Sequence, residues 1–343
     1  MKNVLLSALV LAGVCLSSAA WADSGVTRTL TESPAVPAGA SVQVQNLVGH
    51  MTVSQGVRFQ VTATVVAGGS QAQALAQSVK LDVGTSGDVV TVHVHYPVDQ
   101  HDGYRYAAND DSDKFCVFGV ICFHGRGSSS LQYQGRQVHV YRGGSEGVPL
   151  HVDVAVRIPA GVKAKFVNQT GLLEANTLTD TLALDAAGGG VYARHVTGDL
   201  AIDTDGGDLH VQGLKGDLQA RTSGGDTYLS QSTGDLHLAT GGGDGRIDHV
   251  SGSLDARTGG GDLNVTDYTS GGDVSLHSGG GDVHLSGNLA AARNLHVDTG
   301  GGDAVLEVAN LSMHLDASSG GGDVSVHLPD ATHVTKGDNH YSG

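Results

Sequence analysis

Aromatic, basic and proline residues are all scarce in this sequence. Of 343 residues, 4% are Phe, Trp or Tyr, 19 are Lys or Arg, and 6 are Pro. The shortage of bases leaves a formal charge of −16, which makes nucleic acid and bare anionic lipid surfaces poor partners. A cation, a basic protein or a neutral glycan fits better. Long apolar runs are missing too. Beyond the N-terminus nothing approaches the roughly 18 continuous apolar residues of a membrane-spanning helix, so the mature chain is expected to hold no transmembrane segment. Catalytic signatures are equally thin. Ser and His are abundant, but no nucleophile elbow of the Gly-x-Ser-x-Gly kind stands between a strand and a helix. The clustered bases of an exported polysaccharide-cleaving β-helix are absent as well. No catalytic residue is therefore nominated.

The N-terminus reads as a processing segment. Lys2 precedes the apolar run Val4–Leu16, which is too short to span a bilayer, and Ala20-Trp21-Ala22 offers a small-x-small cleavage pattern. Residues 1–22 are thus expected to be a signal peptide and the protein to be exported, to the periplasm or the cell surface. Cys15 invites a lipoprotein reading, but Val14 stands where a lipobox wants a small residue. Cleavage leaves Cys116 and Cys122. Two nearby cysteines in an exported chain point to one small disulfide loop, with a metal pair as the weaker alternative.

Glycine is present in excess, with 52 residues. It is periodic, which separates an ordered repeat from a flexible linker. The motif Ser/Thr-x-Gly-Gly-Asp occurs eight times, ending at Asp208, Asp226, Asp244, Asp262, Asp273, Asp282, Asp303 and Asp323. The first four copies are 18 residues apart, and later coils lengthen to 20 or 21. Apolar residues tend to fall one and three places after the Asp, as in Leu209 and Val211 or Leu263 and Val265. That alternation is a short strand with one face inward. A half-repeat midway, as at Gly216-Asp217, supplies a second turn. The prediction is an all-β fold: a narrow β-solenoid of about 18–21 residues per coil over 166–330. It is capped by an N-terminal β region over 23–165, with a polar tail at 331–343 shielding the far end. Residues 71–80 favour one short helix.

Residues 98–147 interrupt the pattern with seven of the chain's fourteen Phe and Tyr and both remaining cysteines. They read as an inserted loop or hairpin pinned by a Cys116–Cys122 disulfide. Tyr104, Tyr106, Phe118 and Tyr133 are the candidate partner-binding residues, since aromatic faces stack on sugars and anchor proteins.

The repeats, the segment Gln45–Val53 and the run Val152–Pro159 leading to Gly171 resemble a bacterial adhesin-like β-solenoid domain. That family is exported, of unknown function, and carries Gly-Gly-Asp repeats. The resemblance covers most of 40–330. It implies a binding or scaffold role at the envelope, with an envelope protein or glycan as partner, and brings no catalytic motif.

Two readings compete for Asp208, Asp226, Asp244, Asp262, Asp282, Asp303 and Asp323. Stacked at strand spacing, such carboxylates repel by about 1 kcal/mol per pair in water. Either local turn hydrogen bonds offset this, or a row of Ca²⁺ does, as in toxin β-rolls. The phase favours turn-capping, because β-roll nonapeptides place the apolar residue two positions after Asp. No cofactor or metal is nominated; a calcium-binding module and a polysaccharide-active enzyme remain the alternative functions. His210, His237, His284 and His296 fall at outward strand positions and read as a solvated polar face.

Overall fold

The computed structural model describes residues 25–106, 115–117, 121–123, 128–309, 313–327, 335–336 and 340–342. The expected signal peptide, Phe118 and part of the polar tail lie outside them.

Alternating apolar residues build two parallel sheets that face each other. Along one face run Leu182–Ala186, Leu200–Thr204, Leu218–Thr222, Thr233–Thr240 and Ser251–Thr258, each paired in parallel with the next. Along the other run Leu173–Leu178, Val191–Val196, Leu209–Gln212, Thr227–Ser230 and Gly245–Asp248. Register is fixed by the pattern: Leu182, Leu200, Leu218, Leu236 and Leu254 are successive Cα partners and all are buried. Each fully buried Leu contributes on the order of 1.5–3 kcal/mol. A slip of one residue would turn the whole inward file to solvent. From Leu173 to Val324 there are eight successive parallel pairings on the second face, about eight turns of solenoid.

The stack begins earlier than residue 166. Ser41–Val48 pairs in parallel with Ala164–Thr170, and Met51–Gln55 with Leu173–Leu178. Residues 41–55 are therefore the first coil, and 56–163 are an excursion from it. The segment lacks the Ser/Thr-x-Gly-Gly-Asp signature; its alternation and the resemblance carried by Gln45–Val53 marked it as strand, but not its place in the stack.

The excursion and the N-terminal strand form the cap. Gln60–Ala67 pairs antiparallel with both Val148–Ile158 and Val26–Glu32, while Lys80–Ser86 pairs antiparallel with Val89–His95. Switching from parallel to antiparallel pairing ends the stack. The helix Ala72–Ser78 buries Ala72, Leu75 and Ala76 against this cap. Arg28 holds the end of that helix by donating from Nη1 to Ala76 O at 2.9 Å. At the far end, His340–Ser342 pairs antiparallel with His314–Ser319, so the tail covers the last strand of one face.

The aromatic insertion is part of the sheet rather than a free loop. Gly103–Tyr106 pairs in parallel with Arg136–Arg142 and with the start of Val148–Ile158, and Ser128–Tyr133 pairs antiparallel with Arg136–Arg142. Arg142 latches the hairpin to the solenoid by donating from Nη2 to Gly188 O.

Candidate functional site

The hydroxyl, the last glycine and the aspartate of the Ser/Thr-x-Gly-Gly-Asp turn each have a structural partner in a neighbouring coil. The hydroxyls of Thr204, Thr222, Thr240, Thr258, Ser278, Thr299 and Ser319 form one inward file. Each donates to a glycine carbonyl of the preceding coil, as Thr240 Oγ1 does to Gly225 O at 2.8 Å. Each also accepts the N–H three residues on, as Thr240 does from Gly243 N at 3.1 Å. Gly243 must lack a Cβ, because one would sit 2.2 Å from Gly225 O. The middle glycine is free of this constraint: nothing lies within 4 Å of a Cβ built at Gly242.

The aspartates complete the turn. Asp208 Oδ1 accepts the N–H of Asp226 at 2.9 Å, and the same bond recurs at 2.7–2.8 Å from Asp244, Asp262, Asp282, Asp303 and Asp323 back to the coil before. These N–H groups offset the repulsion along the file. Asp208 is itself partly buried, which pushes its carboxyl above the usual range. Asp273 does not belong to this file. Its oxygens meet Asn294, at 3.1 Å to the backbone N and 2.9 Å to Nδ2. It occupies the opposite corner, where Asp217 accepts the N–H of Asp235 at 3.1 Å and Asp235 the Ser253 hydroxyl at 2.6 Å. Residues 271 and 272 are inserted at the register shift after Gly252, which lengthens that coil from 18 to 20.

A further corner is built without glycine in most coils. Thr177, His195, Gln231, His249 and Asp267 all adopt φ of 50–53°, and Gly213 fills the same position at 71°. Left-handed backbone is unusual for side chains of this kind, Thr177 above all. The stack enforces it. His249 N–H, for example, donates to Thr266 O of the next coil at 3.1 Å.

On the outward side of the second face, the 18-residue register places Tyr192, His210 and Tyr228 in one file. Their rings stack nearly parallel, with centroids 4.4 and 4.5 Å apart. Arg194 lies 5.7 Å from the Tyr192 ring. Among the described residues, Tyr192 Oη and His210 Nε2 are buried without a hydrogen-bond partner. Burial, reinforced by Arg194, pushes His210 down to about 4. Burial raises Tyr192 and Tyr228, with nearby aspartates adding to it. One coil before, His50 Nε2 lies 3.6 Å from Glu174 Oε2 and holds that carboxyl below its usual range. Of the four outward histidines, His237 and His296 are exposed and His284 partly so; His210 is instead a packed, neutral ring.

The opposite face carries exposed charge in files. His277 pairs with Asp298 at 3.0 Å and His296 with Asp316 at 3.3 Å. Between Arg221 and Arg257 the file holds only Ala239. The gap is a groove of about 170 Å³ lined by Gln219, Arg221, His237, Ala239, Asp255 and Arg257. Asp255 holds Arg257 at 2.8 Å.

The nominated aromatic contacts need correction. Tyr104 is 0% exposed and Tyr133 5% exposed. Both rings pack edge-to-face on buried Tyr96, at 5.2 and 6.0 Å, and Tyr133 donates to Val94 O at 2.6 Å. They bind the insertion to the cap and offer no contact surface. Tyr106 is partly buried against the core and His151. Cys116 and Cys122 are directly opposed in the antiparallel pair Phe115–Val117 and Ile121–Phe123. The one Gly-x-Ser-x-Gly run in this region, Gly143–Gly147, joins two strands and no helix.

The Toastrack DUF4097 family, a domain of unknown function, matches residues 151–292, and the solenoid has the Toastrack fold. Among solved structures, a candidate lipid binding protein from Parabacteroides distasonis ATCC 8503 is similar at 9% identity and a TM-score of 0.32. That match covers 89% of this chain and 95% of the other. A candidate cell adhesion protein from Clostridium sporogenes ATCC 15579 is similar at 10% identity and a TM-score of 0.20, covering 92% of this chain and 87% of the other. No curated protein matches this chain.

Proposed function

We propose that this chain is an exported envelope protein that binds a protein partner and serves as an adhesin-like scaffold, with no catalytic activity of its own. The observation that carries this reading is the exposed charged face of the solenoid. Arg221, His237, Asp255 and Arg257 stand on successive rungs around the gap left by Ala239. Side chains fixed on a parallel sheet lose little freedom on binding, which favours recognition by a rigid surface. Arg221 on one flank of the notch, opposite Arg257 in its pair with Asp255 at 2.8 Å, suits an acidic side chain on the partner. A neutral glycan is a weaker candidate. Sugars stack on open ring faces, and among the described residues the Tyr192–His210–Tyr228 rings use those faces on each other.

The test combines fractionation with capture. The expected result is a chain cleaved after Ala22 in the periplasmic or surface fraction. Cross-linking there yields a protein partner whose recovery falls at least about tenfold in Arg221→Glu/Arg257→Glu. Retention of the chain in the cytoplasm, capture indifferent to the charge reversal, or turnover of a polysaccharide would overturn the proposal.

A further inference from the structure

We infer that the corner formed by Asp248, His249 and Asp267 is a divalent transition-metal site, suited to Zn²⁺. This is independent of the binding role proposed above. The three side chains bring one imidazole and two carboxylates within 4.8 Å of one another; His249 and Asp267 face the ion and Asp248 orients the imidazole.

Their separations differ in kind. His249 Nδ1 lies 2.8 Å from Asp248 Oδ2, a hydrogen-bond distance. His249 Nε2 lies 3.4 Å from Asp267 Oδ2, which is long for a hydrogen bond. It is, however, the edge of a tetrahedron whose metal bonds are about 2.0–2.1 Å, the lengths zinc makes to imidazole and carboxylate. Read together, the distances give a carboxylate–histidine–metal triad. Asp248 accepts from Nδ1–H and so leaves the Nε2 lone pair for the ion, and Asp267 supplies the first oxygen. Thr266 supports this arrangement by donating its hydroxyl to Asp248 Oδ1 at 2.7 Å, which orients the carboxylate that orients the imidazole.

The fold fixes the spacing. His249 and Asp267 are equivalent positions of successive coils, both left-handed, with φ of 51° and 50°. Parallel pairing of Gly245–Asp248 with the start of Leu263–Ser278 sets the distance between them. His249 and Asp267 are exposed, so the remaining positions on the metal are open to water. The mixed donor set separates this corner from the aspartate files, which offer oxygen alone and suit hard cations.

The test is calorimetric titration of zinc chloride into the full-length chain in chelator-free buffer, alongside His249→Asn and Asp267→Asn. Asparagine is chosen at 249 because it tolerates left-handed backbone. One zinc equivalent should be lost in His249→Asn and bound at least about tenfold more weakly in Asp267→Asn. Asp248→Asn should weaken it by about tenfold, the usual effect of losing an orienting carboxylate. Co²⁺ in place of zinc should give the intense visible bands of a tetrahedral site, and His249→Asn should remove them. Three outcomes overturn the inference: no saturable zinc heat, an isotherm unchanged by His249→Asn, or a calcium isotherm at this corner that excludes zinc and ignores His249.

Discussion

His210 offers a direct reading of the outer file. Its ring is clamped between Tyr192 and Tyr228 at 4.4 and 4.5 Å, and Nε2 is buried without a partner among the described residues. Burial and Arg194 lower its pKa from 6.5 to about 4. The folded chain therefore resists a proton that the unfolded chain accepts. Where the unfolded state binds more protons, stability rises with pH. The contribution of His210 is thus fully present above pH 6.5 and is lost progressively as pH falls toward 4. At pH 4.5 this linkage amounts to roughly 2.5 kcal/mol without screening, and ~1 kcal/mol once the partial exposure of the ring is allowed for. His210→Phe keeps the stack and removes both the titration and the orphaned nitrogen, which by itself costs about 1–3 kcal/mol. The variant should be at least as stable as the parent at pH 7.5, and its advantage should grow by ~1 kcal/mol at pH 4.5. Urea unfolding followed by circular dichroism at pH 7.5, 6.5, 5.5 and 4.5 reads this difference, since the other titrating groups are common to both chains. A constant gap between the two chains at every pH would refute the claim that the fold holds His210 neutral.

Other predictions concern the turns. Thr240→Val leaves Gly225 O and Gly243 N–H buried and unpaired, so it should lower unfolding stability by about 2–4 kcal/mol, while Thr240→Ser stays within ~1 kcal/mol. Gly243→Ala drives a Cβ into the Gly225 carbonyl and should cost at least about 1–3 kcal/mol; Gly242→Ala, with open space, should fall within ~0.5 kcal/mol of the parent in the same urea titrations. Asp244→Asn keeps an oxygen to accept the Asp262 N–H. Its melting temperature should therefore track the parent equally in calcium and in chelator, and a gap that opens only in calcium would favour a cation row over turn-capping. Peptide mass analysis of the purified chain, alkylated without reductant, should show Cys116 and Cys122 unmodified and two hydrogens lighter. Ready alkylation of both would count against the disulfide.

Local chemistry wrote much of this fold into the chain. Leu and Val at every second position, with an 18-residue recurrence, are enough to demand short stacked strands, because period-two alternation buries one face and identical spacing keeps it buried. That the aspartates serve the turns was legible, but their partner was not: each accepts the N–H of the equivalent aspartate one coil on, 18 to 21 residues away, rather than one from its own turn. The file of Tyr192, His210 and Tyr228 was present in the spacing but is decided by what surrounds it, since a position that alternation marks as outward can still be covered. Tyr104 and Tyr133 differ from their expected role on the same ground; only packing against Tyr96 shows that their faces are spent inside. Tertiary structure alone joined residues 41–55 to 164–178 as adjacent coils, because that contact is made across a long excursion with no shared motif. It alone moved Asp273 to the other corner, where two added residues shift the register. It alone imposed left-handed backbone on His249 and Asp267, a conformation their own preferences resist and the hydrogen bonds of neighbouring coils enforce.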